Sequence, residues 1–133
     1  DYDELLYQYA LAEIGRQVPN STDLLTVTDC MRLRLEATRA KIALSSHPTA
    51  TMILQGVEVR GLGLQDIEIE IGREEFRRIA SELNDRVETC IRRALTLADV
   101  DASTLDLVLL AGQGLKIFTI PEILSGCSPI LHN

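Results

Sequence analysis

Glu36-Ala-Thr-Arg-Ala-Lys-Ile-Ala-Leu-Ser-Ser46 forms the end of a helix that is apolar on one face. The apolar positions are spaced three and four residues apart, which predicts a helix that begins between Ser21 and Thr28 and runs to about Leu44. These positions are Cys30, Leu33, Ala37, Ala40 and Leu44, while Arg32, Arg34, Glu36 and Arg39 face elsewhere. Pro48 then pushes the chain toward extended geometry. Lys41 and Ser45 are therefore expected on the last turn of this helix.

The segments on either side of this helix also show clear periodicity. Before it, Leu6, Ala10 and Ile14 repeat every four residues and predict a helix over about 3–17. After it, residues 51–59 and 64–71 predict two strands, because isoleucines at 67, 69 and 71 alternate with glutamates at 68 and 70. Glycines within 60–63 supply the turn, so we expect an antiparallel hairpin with one buried face.

The remainder of the chain predicts a long helix and a buried strand. Gly72 is a plausible N-cap, and the helix should run to about Leu97 with apolar residues at helical spacing. We expect its Ile79, Leu83, Val87 and Ile91 face to pack on the sheet. A turn at 99–103, a strand at 105–110 buried on both faces, a glycine loop at 111–116 and a short helix around 121–124 follow. The predicted class is α/β (α+β): a hairpin sheet packed by long helices, plus one buried strand.

Composition limits the range of functions. The 133 residues fit one domain and are 46% hydrophobic, and the formal charge of −7 argues against binding to a nucleic-acid backbone. No apolar run approaches the roughly 18 residues of a membrane helix, and no secretory signal is present. The three cysteines lack the spacing of a metal or redox motif. We expect a soluble, cytoplasmic protein, and since the chain begins at Asp1 within a helix start, a piece excised from a longer one.

Three segments, in this order, resemble the DnaK-type 70-kDa heat-shock chaperone family. They are the helix end at 36–46, the strand-into-helix passage Glu68-Ile-Glu-Ile-Gly-Arg-Glu-Glu-Phe76, and Leu105-Asp-Leu-Val-Leu-Leu-Ala-Gly-Gln-Gly114. Asp1-Tyr-Asp3 is also similar to a family segment that follows a phosphate loop. The resemblance covers about 1–124 and implies the upper part of lobe II of an actin-like ATPase fold. It divides the chain into a helical and hairpin subdomain (1–98), a strand and glycine loop of the lower subdomain (105–124), and a tail (125–133).

Lys41 and Ser45 are the first candidates for a binding site. They lie four residues apart on one helical face, so an ammonium and a hydroxyl could both reach a ligand laid across the helix end. The alternative is that Lys41 is a solvated cation favoured by the helix dipole and that Ser45 is only a cap. The resemblance implies that the ligand is the adenosine of ATP or ADP.

The resemblance adds three further residues to this site, Gly112 and Lys116 of the glycine loop and Thr38 on the helix. Lys116 stands roughly where the family carries an arginine that stacks on adenine, and lysine lacks the planar face of guanidinium. Ala111 replaces a glycine, and Thr38 replaces a glutamate that binds the ribose. The nucleotide pocket is therefore altered relative to the family pattern.

The function implied is a nucleotide-gating subdomain that forms one wall of the adenosine cleft and offers a docking surface to an exchange factor and a co-chaperone. The phosphate loops and Mg²⁺ ligands that the family uses for ATP hydrolysis lie outside this sequence, so we expect the chain alone to be inactive. No catalytic residue or metal site is predicted in it. Two alternatives stay open: an interaction module of a divergent chaperone-like protein, and a fragment of another actin-fold ATPase, sugar kinase or filament protein.

Overall fold

A computed structural model describes residues 1–20, 23, 25–112 and 117–127. The helices are α1 (Tyr2–Gln17), α2 (Val27–Leu44), α3 (Arg73–Leu97) and α4 (Thr119–Cys127), and the strands are β1 (Thr49–Val59) and β2 (Gly63–Gly72). The chain divides into two compact units, Asp1–Ile79 and Ala80–Asn133, and each is described by itself. The fold is mixed α/β, as predicted.

The first unit is a two-stranded antiparallel sheet covered by α1 and α2. Strands β1 and β2 pair from Thr49 opposite Gly72 to Val59 opposite Gly63, across the predicted glycine turn. Side chains alternate between buried and exposed along β1 and over residues 67–71 of β2, and the buried face meets the apolar stripes of the two helices. The stripe of α1 at Leu6, Ala10 and Ile14 is fully buried, as expected from its spacing. The predicted helices and hairpin of this unit are confirmed.

A β-bulge interrupts β1 between Leu54 and Val57. Gly56 has a φ of 65°, in the left-handed region that glycine adopts without a steric penalty. Its backbone N–H donates to Asp66 Oδ1 at 2.9 Å, so the bulge is anchored across the hairpin. The regular edge of β1 therefore ends shortly after Ile53.

Helix α2 begins with a capping box. Thr26 Oγ1 accepts from the N–H of Asp29 at 3.1 Å, and Asp29 Oδ2 accepts from the N–H of Thr26 at 3.0 Å. Asp29 Oδ1 also pairs with Arg32 at 2.5 Å. Burial alone would raise the pKa of Asp29, but the hydrogen bonds from Thr26 and Arg32 outweigh it and lower that pKa. The ionised carboxylate is thus the form that the folded state favours.

Asp29→Ala is expected to lower the free energy of unfolding by about 1 kcal/mol near neutral pH, because the carboxylate that accepts from the N–H of Thr26 and pairs with Arg32 is lost. Since the folded-state pKa is depressed, this contribution is present above the unfolded pKa near about 4 and is lost as pH falls through the folded pKa. Urea unfolding at several pH values measures it. Asp85→Ala on the exposed surface of α3 is the control; equal losses in both variants would contradict the prediction.

The predicted burial along α3 is wrong over most of its length. Phe76 and Ala80 are fully buried, but Ile79, Leu83, Val87 and Ile91 are half-buried. The burial predicted for the middle of α3 is therefore only partial. In the first unit, the buried face of the hairpin is covered by α1 and α2.

The second unit corrects the prediction of a buried strand at 105–110. This segment follows a 3₁₀ turn at Ala102–Thr104 and is not a strand in the structure. Leu109 is 81% exposed and Leu110 is 47% exposed, and since consecutive residues of an extended segment point to opposite sides, neither face is buried. A strand buried on both faces needs neighbouring strands, and the sheet that the structure describes consists of β1 and β2. The predicted short helix is confirmed as α4 and is longer than expected.

Within the described residues, no helix combines the length and the apolar character needed to cross a lipid bilayer.

Candidate functional site

The side chain of Lys41 is buried at the C-terminal end of α2. Only 10% of it is exposed, and its Nζ lies 2.8 Å from Oδ1 of Asp3. This contact is an ion pair rather than a well-aligned hydrogen bond. Asp3 itself is 40% exposed. The alternative in which Lys41 is a solvated cation is therefore wrong, because the ammonium is enclosed and paired.

Asp3 belongs to the first turn of α1, so the ion pair joins the beginning of one helix to the end of the next. Each charge also suits its own helix, since carboxylates are favoured near helix N-termini and cations near C-termini. An ammonium group has more N–H donors than one carboxylate oxygen uses, so Lys41 keeps the capacity to bind a second acceptor.

A second charged contact links the same two helices. Arg34 donates to Glu4 Oε2 at 2.5 Å, and its guanidinium lies 3.8 Å from the centroid of the Tyr7 ring. Hydrogen bonds from Gln8 and Arg34 lower the pKa of Glu4. Because α1 and α2 are joined at both positions, they hold Lys41 in a defined place.

Ser45 is the C-cap of α2 and its side chain is exposed. Its hydroxyl donates to the carbonyl of Lys41 at 3.5 Å, which is the long limit of a hydrogen bond. Arg73 also closes this helix end, because its Nε donates to the carbonyl of Leu44 at 2.8 Å. The capping role considered for Ser45 is thus present, and its side chain is exposed at the surface.

The other predicted site residues are distributed as follows. Thr38 is half-buried on α2, nearly two turns before the helix end, and its hydroxyl donates to the carbonyl of Arg34 at 3.3 Å. Gly112 belongs to the second unit and has a φ of 109°, a value that favours glycine. Lys116 lies outside the described residues. The structure therefore brings together Lys41, Ser45 and Thr38 on one helix.

Sequence reasoning missed Asp3 and Arg73 as the partners of this helix end. The sequence did contain a signal that Lys41 needs a partner. Lys41 follows Ala37 by four residues and precedes Leu44 by three, which places it on the buried face of the helix. A buried cation requires a carboxylate, and Asp3 is distant in sequence. Nothing in the local pattern identifies Arg73 as the donor to Leu44.

The end of α2 presents polar groups that come from one helix and its cap. Across the described ranges, no group of three or more His, Cys, Asp or Glu is placed to hold a metal ion. Cys30, Cys90 and Cys127 are free thiols. What the helix end provides is a buried, paired cation and, four residues later, an exposed serine.

Comparison with known proteins gives consistent matches. The family model described as "Hsp70 protein" matches residues 1–127. The chain is 32% identical over 119 residues to the chaperone protein DnaK of Mycoplasmopsis pulmonis, which covers 88% of this chain and 19% of that protein. It is 29% identical over 130 residues to DnaK of Mycoplasmoides gallisepticum (97% and 22%) and 29% identical over 132 residues to dnaK1 of Synechocystis (97% and 18%). The chain thus spans about a fifth of the length of these relatives.

Proposed function

Because this chain belongs to the Hsp70 family, we propose that it forms one wall of an adenine-nucleotide cleft in a DnaK-like chaperone. The observation that supports this most is the buried Lys41 ammonium at the end of α2, four residues before the exposed cap residue Ser45. A helix end with a fixed cation and a hydroxyl suits the ribose and phosphate oxygens of ATP or ADP. Gly112 and Lys116 are proposed to approach the nucleotide from the glycine loop.

In this proposal Asp3 is a positioning residue. Its carboxylate fixes the Lys41 side chain, so the ammonium loses little conformational freedom when a nucleotide binds. The first unit would gate the cleft by moving as one body, since α1, α2 and the hairpin share one core. Exchange factors and co-chaperones are the proposed protein partners that would bind the first unit and control this movement. Mg²⁺ would be held with the nucleotide by residues outside this chain.

The test replaces Lys41 by methionine, which keeps the apolar stem and removes the charge. The host is a DnaK chimera in which residues 1–127 of this chain replace the matching segment, so that the opposite wall of the cleft is present. ADP binding measured by calorimetry should weaken by about 1–3 kcal/mol, the range for losing a charged donor. The isolated chain should show little change, because one wall alone cannot desolvate the ligand.

Arg60→Met is the matched control in the same chimera, because Arg60 is an exposed cation in the hairpin turn, away from the helix end. Its ADP affinity should equal that of the unsubstituted chimera. If Lys41→Met also leaves ADP affinity unchanged while the chimera stays folded, the helix end has only a structural role.

The second candidate is a protein-interaction module of a divergent chaperone-like protein with reduced nucleotide binding. The observation that favours it is the threonine at position 38, whose hydroxyl is directed to its own helix backbone. The lysine at position 116, where the family carries an arginine, also favours this second candidate. Loss of ADP binding in the unsubstituted chimera, with its thermal stability retained, would favour this candidate.

A further inference from the structure

The two edges of the hairpin are covered in different ways. On β2, the carbonyl of Glu68 accepts from Gln17 Nε2 at 3.0 Å, and the carbonyl of Glu70 accepts from the Tyr9 hydroxyl at 3.4 Å. Both donors belong to α1, so neutral side chains of a packed helix occupy this edge. On β1, the N–H of Ile53 donates to Glu36 Oε2 at 3.2 Å.

The strand register shows that these groups point outward. Ile53 lies opposite Glu68 and Thr51 lies opposite Glu70. Ile53 and Glu68 each form their hydrogen bond on the side away from the other strand. They are therefore a non-hydrogen-bonded pair, in which the N–H and C=O groups of each residue face the outer edge of its own strand. By the same alternation, the backbone groups of Thr51 also face outward. Strand β1 thus presents an edge with the spacing that an added strand requires.

A groove of about 420 Å³ runs beside this edge of β1. Arg32, Leu35, Glu36 and Arg39 line it on the α2 side, and residues 53–55 line it on the β1 side. Leu35 is 63% exposed and Ile53 is 42% exposed, so apolar surface borders the backbone groups. Exposed apolar surface next to a strand edge is a feature of peptide-binding grooves.

The charges around the groove favour an acidic occupant. Arg39 pairs with Glu36 at 2.7 Å and Arg32 pairs with Asp29 at 2.5 Å, yet a guanidinium has more donors than one such contact uses. A second copy of this chain is disfavoured, because symmetric pairing of two β1 edges would bring the arginines of both copies together. An extended segment with carboxylates avoids the repulsion between arginines, and the charged groups of the groove lining that it meets are two arginines and the carboxylate of Glu36.

We propose that the edge of β1 binds an extended peptide segment that alternates apolar and acidic side chains, by strand addition along Thr51 and Ile53. The segment displaces the Glu36 carboxylate from the N–H of Ile53 and places its own carboxylates against Arg32 and Arg39. The Gly56 bulge ends the added strand. This inference does not depend on nucleotide binding, because it uses a different surface of α2.

The test measures binding of two labelled seven-residue peptides to the 133-residue chain by fluorescence anisotropy. One peptide alternates valine and glutamate, and the other alternates valine and lysine. We expect the glutamate peptide to bind at least about tenfold more tightly. Ile53→Pro removes the outward N–H and should abolish its binding, whereas Ile53→Thr keeps the N–H and should retain it.

A charge variant keeps the proposal testable if the proline variant fails to fold. Arg39→Glu should reverse the preference between the two peptides, while Arg16→Glu, an exposed position on α1, should leave it unchanged. Equal binding of both peptides, or binding that survives Ile53→Pro in a folded chain, would overturn the proposal. It would also be overturned if sedimentation showed a dimer that Ile53→Pro dissociates, because the occupant would then be a second copy.

Discussion

Phe76→Ala is expected to lower the free energy of unfolding by about 3–5 kcal/mol, through the lost transfer free energy of the ring and the cavity left behind. Phe76 is fully buried at the start of α3, and its ring centroid lies 6.0 Å from that of Tyr2 on α1. The side chain therefore connects the beginning of α3 to the first helix. Urea unfolding followed by circular dichroism measures the loss.

Leu83→Ala is the matched comparison on the same helix. Leu83 is half-buried, so we expect a loss of only about 1–2 kcal/mol. The contrast depends on where α3 is buried, since both substitutions place alanine in a helix. A loss for Leu83→Ala as large as that for Phe76→Ala would show that the middle of α3 is more deeply buried than the structure indicates.

Asp3→Ala is expected to destabilise the chain by about 2–3 kcal/mol, because it leaves the Lys41 ammonium enclosed without a counter-charge. Lys41→Met should cost less than about 1.5 kcal/mol. Its apolar stem is conserved in volume, and 40% of the Asp3 side chain is exposed to water even though Oδ1 is buried. Removing Asp3 is thus expected to lower the free energy of unfolding by more than removing Lys41.

The double variant Asp3→Ala/Lys41→Met tests the cause of this asymmetry. If the loss in Asp3→Ala comes from an unpaired buried charge, adding Lys41→Met should restore part of the stability, which gives a coupling free energy of about 1–2 kcal/mol. Thermal and urea unfolding of the four proteins complete the cycle. Additive losses would mean that the charges of Asp3 and Lys41 do not interact in the folded state.

The parts of the fold that were predicted from sequence are those determined by local pattern. Helix α1 repeats Leu6, Ala10 and Ile14, and β2 alternates Ile67 and Ile69 with glutamates, so each buries the face that its period selects. The glycines at 61 and 63 have φ values of 84° and 72°, which explains why the turn was also predicted.

The errors occur where burial depends on distant elements. Residues 105–110 have the composition of a buried strand, but composition does not provide the neighbouring strands that would bury Leu107 and Leu109. The spacing on α3 is strongly amphipathic, yet Leu83 and Val87 are only half-buried. A period shows which face is apolar, and only the tertiary fold shows what covers that face.

In the candidate site, too, the positions that depend on local spacing were predicted, and the contacts that depend on packing were not. The positions of Lys41 and Ser45 on the last turn of α2 were predicted from spacing. The contacts that fix this turn come from Asp3 and Arg73, which are distant in sequence. Pairing of this kind is set by how the elements pack, so residue spacing on one helix does not reveal it.

The ion pair between Lys41 and Asp3 makes one cation common to an internal carboxylate and to any ligand that reaches the end of α2. Two groups that draw on the same ammonium are thermodynamically linked, and linkage is reciprocal. A ligand that pulls Lys41 toward itself would loosen the attachment of α1, and any force that displaces α1 would change the affinity for that ligand by the same factor. The first turn of α1 would then report on the occupancy of the site without touching the ligand.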